Sequence, residues 1–166
     1  SLGSGQVLHC PYTADKARLV LREMAESLAL DLVSKRLVTD QVVVTVGYDI
    51  ENLTDPERAS HYNGLVVSDH YGRRIPKHAH GTERLETHTS STKKIMGAAT
   101  ALFDRLVDPN LLIRRLNIVA GHVMPENDAK KRNSGFEQLD LFGDYTAQIK
   151  LTHGVSCSIK VKVVEE

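Results

Sequence analysis

The stretch Gln41-Val42-Val43-Val44-Thr45-Val46-Gly47-Tyr48-Asp49 constrains the fold more than any other part of the chain. A run that is β-branched almost throughout packs well on a pleated surface, so it reads as a strand covered on at least one face. Its cover must come from elsewhere in the chain, and two amphipathic stretches can supply it. Ala17, Val20, Leu21, Met24, Leu28 and Leu32 recur at helical spacing after a Thr13 cap, and this first helix is expected to end near Leu37 or Val38. Ile95, Met96, Ala99, Leu102, Phe103 and Leu106 form a second stripe behind the hydroxyls of Thr89, Ser90 and Ser91. Extended segments at 6–9, 77–88 and 112–121 complete the order β-α-β-β-α-β. That order gives an α+β, two-layer fold: a four-stranded, mostly antiparallel sheet with two helices on one face, followed by an extended C-terminal tail. Residues 50–72 have neither period and contain Pro56, Asn63, Gly64 and Gly72; they read as a long excursion with no assigned function.

At 166 residues the chain can bury one sizeable core plus appendages. The expected organisation is a domain over 1–124, a flexible linker over 125–137, a short peptide at 138–142 and a strand-like tail over 143–166. Charged residues at 25% and hydrophobic residues at 41% exclude wholesale disorder. No apolar run is long enough to span a bilayer and no signal pattern opens the chain, so no membrane partner and a cytoplasmic location are expected. Because the chain starts at Ser1 on structured-looking sequence, it reads as a C-terminal piece of something longer. Cys10 and Cys157 lie far apart outside any Cys-x-x-Cys pattern, which suits reduced, structural thiols. Eight histidines, with His78 and His80 on one strand face and His70 and His88 nearby in sequence, raise a metal site, but nothing fixes a third or fourth ligand.

Net charge is zero, yet its distribution is uneven. Residues 40–72 carry Asp40, Asp49, Glu51, Asp55, Glu57 and Asp69 against Arg58, whereas the following segment carries Arg73, Arg74, Lys77, Arg84, Lys93 and Lys94 against Glu83 and Glu86. A sheet with helices on one face leaves the other open, and cations there can hold a polyanion. Phosphate contacts want Lys and Arg for charge and hydroxyls for positioning. The DNA-binding candidates are therefore Arg73, Arg74, Lys77, Arg84, Thr89, Ser90, Ser91, Lys93, Arg114 and Arg115. Strict strand alternation sends Arg114 and Arg115 to opposite faces, so one at most lies on the sheet's centre. No constellation that reads bases is visible.

Behind the linker stands Gln138-Leu139-Asp140-Leu141-Phe142. Residues 125–137 are rich in turn-formers and charges, which presents the apolar pentapeptide either as a ligand for a partner's pockets or as a terminal strand returning to its own core. All five positions match the peptide by which bacterial DNA polymerases and repair proteins hold the ring-shaped sliding clamp. With it go Ser1-Leu2-Gly3-Ser4-Gly5, Gly47-Tyr48-Asp49, His80-Gly81-Thr82 through Thr89-Ser90, and Ile113-Arg114-Arg115-Leu116. From about Ser1 to Phe142 the chain resembles the C-terminal little-finger domain of bacterial Y-family (UmuC/DinB-like) lesion-bypass DNA polymerases.

The resemblance implies a DNA-binding accessory domain that grips duplex DNA without sequence preference and tethers its enzyme to the clamp. It implies a parent DNA polymerase used in repair and the SOS response, whose catalytic carboxylates and Mg2+ belong to domains outside this segment. The fragment itself is then not catalytic and needs no cofactor. After Phe142 the chain departs from the family: Val155, Cys157, Ile159, Val161 and Val163 alternate with polar residues, a strand pattern that suits pairing with its own sheet or self-association with another copy. The competing readings are a small-molecule-sensing or protein-interaction α+β domain, a His-based metalloenzyme, and an RNA-binding sheet, the last disfavoured by the absence of Trp and the few Phe and Tyr.

Overall fold

The computed structural model describes residues 1–132. The chain divides after Pro125 into two units, and the first holds the whole sheet. In order, its elements are β1 (Leu2–Tyr12), α1 (Ala14–Ser34), β2 (Leu37–Tyr48), α2 (Glu51–Thr54), α3 (Pro56–His61), β3 (Val66–Ser68), β4 (Arg74–Pro76), β5 (Ala79–Thr89), α4 (Thr92–Leu106), β6 (Ile113–Gly121) and β7 (Met124–Pro125). The long strands line up as β1-β6-β2-β5, every pair antiparallel, with β7 beside the start of β2. This is the expected α+β plan. It consists of two interlocked crossovers: α1 links β1 to β2 across β6, and α4 links β5 to β6 across β2.

The core lies between the helices and one sheet face. Val42, Val44 and Val46 of β2 and Leu116, Ile118 and Ala120 of β6 point into it, alternating with the residues of the other face, which is uncovered among the described residues. Leu21, Leu28 and Leu32 of α1 and Ile95, Leu102 and Phe103 of α4 close it from above. Ser91 caps α4 by accepting from the Lys94 amide at 3.4 Å, the role its hydroxyl suggested. Thr13 precedes α1 without a side-chain cap bond.

Three expectations change. Helix α1 stops at Ser34: Arg36 takes a left-handed φ of 55°, which ends the helix and frees Leu37 and Val38 to begin β2. The excursion at 50–72 is not irregular throughout. It folds into two short helices and β3, which pairs with β4 just beyond it, and is tied in by Asn52, whose buried amide donates to the Asp49 and Leu112 carbonyls at 2.9 Å and accepts from the Leu112 amide at 2.8 Å. Residues 126–132 are helical, with Lys130 3.4 Å from Glu126 one turn earlier, so the first half of the expected linker takes regular structure. The remainder of the linker, the pentapeptide Gln138 to Phe142 and the tail at 143–166 lie outside the described residues.

Cys10 is exposed on β1 rather than packed, against the structural role expected of it, because β1 is an edge strand of the sheet among the described residues. No helix among the described residues is long and apolar enough to cross a membrane.

Candidate nucleic-acid interface

Antiparallel register stacks the uncovered face into rows that cross all four long strands. Gly3, Val119, Val43 and Thr82 form one row; Gly5, Asn117, Thr45 and His80 form the next. Val7, Arg115 and Gly47 follow. No side chain in these rows is acidic. Residues directly opposite one another in such rows lie about 4.5–5.5 Å apart, close enough to act as one surface. Thr45 Oγ1 and His80 Nδ1 are 2.8 Å apart, tying β2 to β5 across the middle of the face.

Small residues keep this floor low. A Cβ on Gly3 would meet the Ile118 carbonyl oxygen and Val119 Cγ2 at 2.8 Å, and one on Gly47 would sit 3.2 Å from Arg115 Cβ. Glycine at these two positions therefore lets β1 pack against β6 and leaves the space over Gly47 to the Arg115 side chain.

The expectation that Arg114 and Arg115 face opposite ways is overturned. Gly47 pairs with Arg115 and Tyr48 with Ile113, so β6 carries an extra residue between them. This bulge interrupts the alternation and brings both arginines to one cleft at the end of the uncovered face. Arg114 stands 3.8 Å from the Asp49 carboxylate, which also accepts from the Glu51 amide at 3.0 Å. Arg84, opposite Gln41, lies further along the same face; neither it nor Arg115 forms an ion pair among the described residues.

The other candidates are distributed around this face rather than gathered on it. Arg73 sits in the β3–β4 turn, lining the same cleft, with its guanidinium 2.7 Å from Asp69. Burial pushes the Asp69 carboxyl up, but hydrogen bonds from the Arg73 amide and side chain and the Tyr71 amide outweigh it and hold the group below its ordinary value. Arg74 borders a smaller cleft beside α2, and Lys77 is exposed in the connection to β5, where its amide donates to the Leu65 carbonyl. Thr89, Ser90 and Ser91 join β5 to α4, with exposed Lys93 in the first helical turn. Thr89 pairs with Thr39 and Arg115 with Gly47, a separation of about 27 Å along β2 at the usual strand rise. Thr89 Oγ1 and Ser91 Oγ already accept backbone amides, which limits the hydroxyls for ligand contact.

Sequence reasoning missed Thr45, Thr82 and Asn117, the polar centre of the face. The alternation of 115, 117 and 119 on β6 with 43, 45 and 47 on β2 carried the signal, but without the strand order the two sets could not be joined. Among the described residues no three His, Cys, Asp or Glu side chains are placed to hold a metal ion.

The domain so defined is a two-layer α+β module, its helix-covered face sealed and its open face polar, low and cationic. The chain belongs to the impB/mucB/samB family C-terminal domain, whose model matches residues 1–141, the little-finger domain of Y-family DNA polymerases that act in translesion synthesis. Comparison with curated protein sequences returns no match.

Proposed function

We propose that this domain grips duplex DNA through the uncovered sheet face, without sequence preference, and that the peptide Gln138 to Phe142 tethers its polymerase to the sliding clamp. The observation that supports the grip is the bulged end of β6, which sets Arg114 and Arg115 on the same side as Arg84, above rows free of acidic groups. Charge of this kind engages phosphates and carries no base information, which suits an enzyme that must accept any template. The stretch of about 27 Å from Arg115 to Thr89 approaches the length of one turn of B-form duplex, about 34 Å. The tether rests on the spelling of the pentapeptide, and burying Leu141 and Phe142 in a partner would contribute about 1.5–3 kcal/mol each.

The test uses fluorescence anisotropy with duplexes of unrelated sequence. Arg84→Glu with Arg115→Glu should weaken every duplex alike, by more than about tenfold. Unchanged affinity, or a loss confined to one sequence, would remove the reading. Calorimetry with a bacterial sliding clamp tests the tether separately: Leu141→Ala with Phe142→Ala should abolish binding while leaving duplex affinity as it was.

A further inference from the structure

The excursion between β2 and β5 does more than connect. Its β3–β4 turn stands over the Arg114/Arg115 end of the sheet, and the two enclose a cleft of about 590 Å³, within the range of small-ligand sites. One wall is aromatic: Tyr71 is 73% exposed, and His70 meets it edge-on with ring centroids 5.2 Å apart. The Arg73 guanidinium lies 5.3 Å from the Tyr71 ring centroid. Arg114, Arg115, Thr45 and Asn117 line the same cleft from the sheet.

The turn is built to hold its shape. Asp69 Oδ1 accepts from the Tyr71 and Arg73 amides at 2.8 Å each, and Gly72 supplies the left-handed φ of 79°. The two carboxylates in the cleft are both engaged, Asp69 by Arg73 and Asp49 by the Glu51 amide with Arg114 nearby. Among the described residues Arg115 makes no ion pair, and the exposed Tyr71 ring lines the same cleft.

We infer that this cleft takes one unpaired DNA nucleotide at the end of the duplex, its base stacked on Tyr71 and its phosphate on Arg115. An exposed aromatic and an arginine lining one cleft are the groups by which single strands are held without sequence preference, because every base has a π-face. Asn117 and Thr45 provide hydrogen-bonding partners for a base or sugar edge of any identity. The inference rests on the proposed duplex grip for the placement of the strand, but the ring and the arginine act on an unpaired nucleotide whether or not a duplex follows.

The experiment compares the full chain's affinity for a blunt duplex, the same duplex with a short single-stranded extension, and the extension alone. Wild type should prefer the extended duplex to the blunt one by about tenfold. Tyr71→Ala should abolish that preference and leave blunt-duplex affinity unchanged, whereas Tyr71→Phe, which keeps the ring, should retain it. No preference in wild type, or a preference that survives Tyr71→Ala, overturns the inference. Tyr71-dependent binding of the single strand with no binding of blunt duplex would sustain the inference and sink the duplex grip instead. Because Tyr71 is exposed and the turn is held by Asp69 and Gly72, loss of the ring leaves the fold in place, which circular dichroism checks.

Discussion

At the scale of single residues, the polar groups that hold this domain together differ sharply in what they are worth. Asn52 is fully buried and its amide satisfies both the amide and carbonyl of Leu112 and the carbonyl of Asp49. Truncating it strands buried backbone groups, each costing about 1–3 kcal/mol. Asn52→Ala should therefore lower stability by at least about 2 kcal/mol in chemical denaturation. Arg18 and Asp104 make the opposite case: a bidentate pair at 2.7 and 2.9 Å between α1 and α4, with the two side chains 36% and 55% exposed. The hydrogen bond from Arg18 holds the Asp104 carboxyl below its ordinary value. A lowered carboxylate contributes stability above its unfolded value and loses it as pH falls through the folded one. Asp104→Asn should thus cost about 1 kcal/mol or less near neutrality, and the difference from wild type should begin to shrink below about pH 4 and disappear only once the pH is under the lowered folded-state value. Urea titrations at the two pH values check both statements.

Among the elements, β1 is the most dependent on one residue. Gly3 lies where a Cβ would press on the Ile118 carbonyl, a backbone atom that cannot swing away. Gly3→Val should push β1 off β6, and hydrogen exchange should show faster exchange for amides of β1 with those of β2 and β5 unchanged. The helices and long strands were legible in the sequence because each buries one face and so carries a period: Val42, Val44 and Val46 alternate, and Leu21, Leu28 and Leu32 recur. What period cannot carry was lost. A bulge is a single inserted residue, invisible until a partner strand gives the register, and so strict alternation separates Arg114 and Arg115 onto opposite faces where the structure does not. The β3–β4 hairpin is three residues to a strand with only Pro76 buried, too short for any period to emerge. Strand order was equally hidden, and with it the row Gly5, Asn117, Thr45 and His80.

For the whole domain, the duplex grip has a signature in salt. Each phosphate neutralised releases counterions and adds about −0.9 to the slope of log affinity against log salt. If Arg84, Arg114 and Arg115 each hold a phosphate, the slope should be about −3 or steeper, and Arg84→Ala should flatten it by about one unit on every duplex alike. A slope that does not change in Arg84→Ala would place that side chain off the DNA.

The interlocked crossovers also dictate a schedule. The sheet's order is β1-β6-β2-β5, so the last long strand to be synthesised is central, flanked by the first two. As the chain leaves the ribosome, β1 and β2 emerge early, yet neither can pair with the other, and each presents a bare edge toward a gap. The gap closes when Ile113–Gly121 arrives, more than sixty residues after β2 is complete. Until then the nascent domain carries an apolar face with nothing to seal it, the interval in which chaperone capture or aggregation competes with folding.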